Sequence, residues 1–227
     1  MSTRSQPVTI THDDGTRTDA DLTVPHDPVG VVVFAHGSGS GRHSPRNKMV
    51  ASALNDRGLA TLLLDLLTPS EEAEERLGAT KRFDVELMAE RLATSASALR
   101  GDAALGAQPI GYFGASTGAA AALIAAASHP EGVAAIVSRG GRPDLAGRHL
   151  SAVRVPTLLV VGGNDGPVIE LNRRARAQLC GPSELVIIPG ATHLFEEPGT
   201  LEQVAVRAGD WFAVHLQAVR SHRCVDD

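Results

Sequence analysis

The residues best suited to do chemistry in this chain are Ser116, Asp165 and His193. Ser116 is the centre of the sequence G-A-S-T-G at 114–118, which stands between an apolar run and an alanine-rich segment. A G-x-S-x-G sequence between a strand and a helix makes a sharp turn that exposes the serine hydroxyl. Glycines are needed on both sides because side chains there would collide across so tight a turn. The motif predicts that Ser116 is a nucleophile, and the flanking elements argue against a plain glycine–serine turn.

A serine hydroxyl is a weak nucleophile until a base removes its proton, and histidine is the usual base. His193 lies between the last apolar run and the final helical segment, in the sequence G-A-T-H-L-F. The other histidines lie near the N-terminus, beyond the helix that follows Ser116, or on the last helix, while His36 and His43 belong to another loop. We therefore predict that His193 is the general base.

The predicted acid is Asp165, in the sequence G-G-N-D-G that follows the apolar run 157–161. A carboxylate at this position would hold the imidazole in the correct tautomer and stabilise its cation. The sequence N-D-G also strongly favours a turn, and one aspartate can both form that turn and orient the histidine. Asp65, which follows an earlier apolar run, is the alternative acid.

The glycine-rich sequence H-G-S-G-S-G at 36–41 follows another apolar run and can bring backbone N–H groups close to a developing alkoxide. We predict an oxyanion hole formed by the N–H groups of Ser38 and Thr117. A phosphate-binding loop is the alternative. Counted from Gly37, the sixth position of a G-x-G-x-x-G motif is Arg42, and no Gly-Lys-Ser/Thr sequence follows.

We also predict that Gly39 and Arg139 contact the substrate. Gly39 belongs to the glycine-rich loop, and Arg139 follows the apolar run 133–137. An arginine at a strand end can bind a carboxylate through two parallel hydrogen bonds. The alternative is a surface charge paired with Asp144 or with a glutamate.

The elements that must position these residues alternate between short apolar runs and longer helical patterns, which is typical of βαβ units. Two alternating stretches around a polar turn at 13–15 predict an N-terminal hairpin. Six buried strands are predicted at 30–35, 59–64, 109–113, 133–137, 157–161 and 185–188. Helices are predicted at 47–55, 84–99, 117–128, 168–179 and 201–215. The fold class is α/β, a mostly parallel eight-stranded sheet with helices on both faces.

Taken together, these motifs resemble the dienelactone-hydrolase-like branch of the α/β-hydrolases over about residues 31–216. The resemblance rests on H-G-S-G-S-G from His36, G-A-S-T-G around Ser116, S-R-G-G-R-P-D-L from Ser138, V-V-G-G-N-D ending at Asp165, and P-G-A-T-H-L-F-E-E-P around His193. It implies a Ser116–Asp165–His193 triad that cleaves small carboxylic esters or lactones through an acyl-enzyme. The founding dienelactone hydrolases use a cysteine nucleophile, and this chain has a serine.

Similar sequences also look like modules attached to phosphoribosyltransferase domains, and we expect no such domain in this chain. No long insertion separates 133–137 from 157–161, where cap domains usually enter this fold, so we expect no large cap. Residues 66–82 are either a surface segment or a mobile flap over the site. Alternative functions are a thioesterase or acyltransferase with the same acyl-enzyme, or a non-catalytic binding protein. A complete triad argues against the binding protein.

Length and composition limit the remaining possibilities. The chain has 227 residues, of which 43% are hydrophobic, and we expect a single domain over 1–227. A net charge of −5 offers no basic surface for nucleic acid. We expect no membrane partner, because no apolar run approaches 18 residues, and we expect no cofactor and no metal. The polar N-terminus and the presence of only two cysteines, Cys180 and Cys224, favour a cytoplasmic location. We expect a monomer or homodimer that acts on a small-molecule ester or lactone.

Overall fold

A computed structural model of the protein describes residues 3–76 and 81–223. Eight strands form one sheet in the order β1-β2-β4-β3-β5-β6-β7-β8. Their bounds are β1 Arg4–Thr11, β2 Arg17–Val24, β3 Val31–Ala35, β4 Ala60–Leu64, β5 Ile110–Ala115, β6 Val133–Arg139, β7 Thr157–Gly162 and β8 Ser183–Ile188. The first two strands form the expected antiparallel hairpin, β2 pairs antiparallel with β4, and the other pairings are parallel. The predicted α/β fold with a mostly parallel eight-stranded sheet is confirmed.

Helices cover both faces of the sheet. They are α1 Pro45–Asn55, α2 Pro69–Arg76, α3 Val85–Ala98, α4 Thr117–Ser128, α5 Gly166–Arg176 and α6 Thr200–Arg223. Helices α1 and α6 contact each other and share one hydrophobic cluster with the sheet, whereas α3 and α4 share another. The central strands are buried along their whole length because both faces are covered. Between β6 and β7 lies only the 3-10 segment Pro143–Ala152, so no large cap is inserted within the described residues.

Several elements are longer than their apolar patterns indicated. Helix α1 begins at Pro45 because the Ser44 hydroxyl accepts a hydrogen bond from the Asn47 N–H, and proline is tolerated in the first turn. Strand β6 includes Arg139, which was expected just beyond it, because Arg139 is still paired with Ala115 of β5. Of the two cysteines, Cys180 is free and exposed, and Cys224 lies outside the described residues.

The segment after β4 is held against α3 by a buried ion pair. Arg91, only 3% exposed, donates to both carboxylate oxygens of Glu71, at 2.7 and 2.9 Å. It also donates to the Leu66 carbonyl at 2.8 Å. Thr68 and Glu71 cap α2 reciprocally, since each side chain accepts the backbone N–H of the other residue. The described part of the segment, 66–76 and 81–82, is thus anchored at its beginning, and residues 77–80 lie outside the description.

Parallel pairing brings the carboxyl ends of β3, β5, β6, β7 and β8 to one edge of the sheet. The loops that leave these ends carry the oxyanion, nucleophile, acid and base motifs, which are far apart in sequence. In open α/β sheets, ligands bind outside the carboxyl ends of the strands. None of the helices in the described ranges is long and apolar enough to span a bilayer.

Candidate active site

Ser116 occupies a strained turn between β5 and α4. Its backbone has φ 52° and ψ −119°, a conformation that non-glycine residues rarely adopt. A Cβ atom at Gly114 would collide with the backbone of Ala119, and one at Gly118 would collide with the Ala35 carbonyl. Both glycines of the motif are therefore required by the close packing of α4 on the sheet. The turn places Ser116 at the carboxyl edge, immediately before the first residue of α4.

Asp165 and His193 are hydrogen-bonded to each other. Nδ1 of His193 lies 2.7 Å from Oδ2 of Asp165. A carboxylate only accepts hydrogen bonds, so Nδ1 carries the proton and Nε2 of the neutral ring is free to accept one. The Asp165 side chain is 14% exposed and the imidazole 38%. The acid is thus largely shielded, while the base is open to a reacting group.

The backbone at 139–140 lies between Ser116 and the loop that carries the imidazole. The Ser116 N–H donates to the Arg139 carbonyl at 3.2 Å. The next residue, Gly140, has φ +51°, and a Cβ atom there would lie 3.0 Å from the His193 carbonyl oxygen and 3.6 Å from its Cε1. A side chain at Gly140 would therefore press against the loop that carries the imidazole. The glycine-rich loop 36–41, here called the oxyanion loop, also packs against this turn, since a Cβ at Gly37 would lie 3.0 Å from Cβ of Ser116.

The two N–H groups expected to form the oxyanion hole lie at the junction of the loop and α4. Thr117 is the first residue of α4, and the first N–H groups of a helix have no acceptor within it. The Ser38 N–H donates to the Thr117 hydroxyl at 2.9 Å. The threonine hydroxyl therefore accepts the hydrogen bond of one of the two N–H groups that the sequence predicts for the oxyanion hole.

His36, which the sequence placed only as a neighbour of the site, fixes the start of the oxyanion loop. Its Nε2 accepts the Leu66 N–H at 3.0 Å, so its Nδ1 carries the proton and donates to the Gly37 carbonyl at 2.9 Å. The ring is 3% exposed, and this burial lowers the pKa of His36 below its usual value. A neutral imidazole thus links the oxyanion loop to the segment after β4. The sequence signal was the histidine directly before the glycines, but its partner is 30 residues away.

The alternative acid is engaged elsewhere. The Asp65 carboxylate accepts the Arg42 backbone N–H at 2.7 Å and forms a close ion pair with the Arg42 guanidinium. The structure therefore joins Asp165, rather than Asp65, to His193.

The two predicted substrate contacts lie in different surroundings. Gly39 lines a cleft of about 830 Å³ that also contains Ser38, Asp65, Met88 and Arg46. Arg46 was not among the predicted contacts, because it stands in the first turn of α1 without any motif around it. Arg139 is the last residue of β6 and is 7% exposed. Among residues 3–76 and 81–223, no group of three or more His, Cys, Asp or Glu side chains could hold a metal ion.

Comparison with known proteins gives concordant matches. A family model described as alpha/beta hydrolase fold matches residues 30–152. A putative phosphoribosyl transferase of Mycobacterium tuberculosis (strain ATCC 25618 / H37Rv) is 58% identical over 195 residues, which cover 86% of this chain. The matched region is 43% of that relative, so the chain spans less than half of its length.

Two solved structures show the same architecture. A dienelactone hydrolase from Anabaena variabilis ATCC 29413 has 49% identity and a TM-score of 0.92, over 95% of this chain and 100% of that chain. Est1E from Butyrivibrio proteoclasticus has 18% identity and a TM-score of 0.76, over 92% of this chain and 98% of that one, and shows the fold alone. The predicted resemblance to dienelactone hydrolases is confirmed, and these matches support hydrolase activity.

Proposed function

We propose that this chain, which belongs to the alpha/beta hydrolase fold family, is a serine hydrolase that cleaves small carboxylic esters or lactones through an acyl-enzyme. The observation that carries the proposal is the Asp165–His193 hydrogen bond of 2.7 Å beside the strained turn of Ser116. A nucleophile, a base and a group that orients the base are the parts that acyl transfer requires. The 49% identity to a dienelactone hydrolase supports the same reaction class.

In the acylation step, Oγ of Ser116 attacks the carbonyl carbon of the substrate and His193 Nε2 takes its proton. The Asp165 carboxylate stabilises the resulting imidazolium through Nδ1. The carbonyl oxygen becomes an alkoxide, which accepts the Thr117 N–H and replaces the Thr117 hydroxyl as acceptor of the Ser38 N–H. The tetrahedral intermediate collapses as Nε2 returns the proton to the departing alcohol oxygen.

In the deacylation step, a water molecule attacks the acyl-enzyme carbonyl and Nε2 takes a proton from that water. Collapse of the second tetrahedral intermediate releases the acid, and Ser116 recovers its proton from the imidazolium. With a lactone the alcohol remains attached to the acyl group, so the product is a hydroxy acid. A thioesterase or acyltransferase would pass through the same acyl-enzyme and differ in the group that leaves or in the nucleophile that accepts the acyl group.

Covalent labelling tests the proposal directly. A fluorophosphonate probe should label the wild type and not the Ser116→Ala variant, because only an activated serine hydroxyl attacks the phosphorus. Ser151→Ala is the matched control, since Ser151 is exposed on the 3-10 segment and donates only to the Arg148 carbonyl. Hydrolysis of p-nitrophenyl acetate should follow the labelling. A folded wild type that is not labelled, or a Ser116→Ala variant as active as the wild type, would refute the proposed mechanism.

A further inference from the structure

A second cavity, here called the amino-end cavity, lies at the end of the sheet opposite Ser116. Its volume is about 260 Å³, and it is lined by residues of α3, by the start of β5 and by the turns at 13 and 129–131. Ser116 follows the carboxyl end of β5, whereas Ile110, at the amino end of that strand, lines this cavity. The cavity shares no lining residue with the cleft beside Ser38. Ligand pockets commonly measure roughly 300 to 1,000 Å³, so this one suits a small molecule.

Tyr112 brings an unpartnered hydroxyl to the wall of the amino-end cavity. The residue is 1% exposed, yet among the described residues its hydroxyl has no hydrogen-bond partner. Along β5, Ile110 and Tyr112 point to the face of the sheet that α3 and α4 cover, whereas Phe113 points to the other face. A buried hydroxyl without a partner is unfavourable, because it gives up its hydrogen bonds to water and receives none in return. A ligand atom that accepts or donates a hydrogen bond at this wall would satisfy it.

The Tyr112 hydroxyl stays protonated and so remains a hydrogen-bond donor. Burial raises the pKa of the phenol, which therefore does not ionise at neutral pH. The charge of Arg100, which itself lines the cavity, acts against this rise. Beside the phenol, Ala93, Ala96 and Ile110 give the cavity apolar walls. The interior thus combines apolar surface with one buried hydrogen-bonding group, which is typical of small-molecule sites.

The rim of the amino-end cavity is acidic. Asp13, Glu90 and Glu131 line it, against Arg100 as the single permanent cation. Arg100 donates to the backbone carbonyl of Glu131 at 2.9 Å, and Glu90 lies 3.2 Å from the exposed His129. Within the described chain, the carboxylates of Asp13 and Glu131 form no ion pair. The rim therefore carries an excess of negative charge, which a cationic ligand would neutralise.

We propose that the amino-end cavity binds a small organic cation, with its ammonium group at the acidic rim, its apolar stem inside, and a hydroxyl that shares a hydrogen bond with Tyr112. Each part of this ligand answers a feature of the cavity: the unpaired carboxylates, the apolar walls and the unpartnered phenol. An anionic ligand would meet like charges at the rim and be disfavoured. The inference does not depend on the proposed function, because the cavity contains neither the nucleophile, the base nor the acid.

Four small molecules of similar shape test the charge and the hydroxyl separately. Tyramine carries an ammonium and a phenol, tyrosol has a hydroxyl in place of the ammonium, p-hydroxyphenylacetate has a carboxylate there, and phenethylamine lacks the phenolic hydroxyl. In isothermal titration calorimetry, tyramine should bind most tightly and p-hydroxyphenylacetate most weakly. Phenethylamine should bind about 3- to 10-fold more weakly than tyramine, which is the usual effect of losing one hydrogen bond. Tighter binding of the anion than of tyramine, or no saturable binding of tyramine up to about 10 mM, would overturn the inference.

Substitutions then locate the binding site. Tyr112→Phe keeps the ring and removes the hydroxyl, so the affinity for tyramine should fall about 3- to 10-fold while that for phenethylamine stays the same. Its Tm should not fall below the wild-type value, because the hydroxyl that it removes has no partner. Equal tyramine affinity in Tyr112→Phe and the wild type would refute the inference.

The charge of the rim is tested by Asp13→Asn combined with Glu131→Gln. This double variant should weaken tyramine binding by about 3- to 10-fold and leave tyrosol binding unchanged, because exposed charge pairs each change an affinity by a few-fold. Glu184→Gln is the matched control, since Glu184 is an exposed acid on β8 outside the cavity. A double variant that binds tyramine as tightly as the control does would contradict the proposed role of the rim.

Covalent labelling separates this cavity from the catalytic cleft. Wild-type protein labelled at Ser116 by the fluorophosphonate should bind tyramine as tightly as unlabelled protein, because the label occupies the opposite end of the sheet. Loss of tyramine binding on labelling would place the ligand in the catalytic cleft and overturn the inference. A wild type that is not labelled would refute the proposed function, whereas the titrations of Tyr112→Phe and of the double variant would still decide whether the cavity binds the cation.

Discussion

Replacing Glu71 by glutamine tests a series of hydrogen bonds that joins α2 to the oxyanion loop. Arg91 donates to Glu71 and to the Leu66 carbonyl. The Leu66 N–H donates to His36, and His36 donates to the Gly37 carbonyl. The only negative charge in this series is the Glu71 carboxylate, and Arg91 is 3% exposed. Glu71→Gln therefore leaves a buried guanidinium without its counter-charge while keeping the shape of the side chain.

The size of the effect follows from the titration of Glu71. Hydrogen bonds from Arg91 lower the pKa of Glu71 from 4.5 to about 2. That difference corresponds to about 3 kcal/mol of folding free energy at neutral pH. For 227 residues the entropy of unfolding is about 0.5 kcal/mol/K, so Tm should fall by about 6 °C.

The same titration predicts how the effect depends on pH. A carboxyl whose pKa is lowered by folding stabilises the fold above its unfolded value, here 4.5, and this stabilisation is lost as the pH falls towards about 2. The difference in Tm between wild type and Glu71→Gln should therefore shrink in that range. His36 acts at higher pH. Its lowered pKa keeps the ring neutral in the folded protein. The stability of both proteins should therefore decrease as the pH falls below 6.5, the pKa of an unfolded histidine.

Thermal unfolding followed by circular dichroism measures these effects. Glu74→Gln is the matched control on the same helix, because the Glu74 side chain is 57% exposed and its ion pair with Lys81 should contribute less than about 1 kcal/mol. Arg91→Met and the double variant complete a cycle that isolates the pair. A Tm for Glu71→Gln within 1 °C of the wild type, taking ~1 °C as the resolution of the assay, would refute the reasoning. Strictly additive losses of stability in the two single variants and the double variant would also refute the reasoning, because they would show that Glu71 and Arg91 do not interact.

Two further predictions concern the reaction itself. Thr117→Val removes the hydroxyl that occupies the Ser38 N–H, so kcat/KM for p-nitrophenyl acetate should equal the wild-type value or exceed it by up to about 10-fold, whereas Thr117→Ser should match the wild type. A loss of kcat/KM of about 100-fold, confined to the valine variant, would show instead that the hydroxyl helps to bind the oxyanion. That is the loss expected on removing an oxyanion donor. Asp165→Asn should lower kcat by about 10⁴-fold, because the amide favours the wrong tautomer of His193. Asp65→Asn should lose less than about 10-fold, since Asp65 is paired with Arg42, and the reverse order would identify Asp65 as the acid.

The sequence by itself determined the elements of this fold and the order of the reactive residues. Each of the six apolar runs became a strand. Strands β3 to β7 are apolar because both of their faces are covered. The run 185–188, predicted to be buried, instead lies in the partly exposed edge strand β8. The tight turn at Ser116 could be predicted from the five residues 114–118, since such a turn excludes a Cβ at Gly114 and Gly118. Asp165 and His193 could be proposed because each follows a strand whose carboxyl end must lie at the same edge of a parallel sheet. These signals are local, or follow from a regular topology.

Only the tertiary structure decided which polar groups are satisfied and by which partner. The partner of His36 is 30 residues away, and that of Arg91 is 20 residues away. The acceptor of the Ser38 N–H is a side chain 79 residues later. No periodicity or motif encodes such pairings, because they depend on which loops the sheet brings into contact. For the same reason, the sequence could place Arg139 at a strand end but could not show that its charge is buried and unpaired.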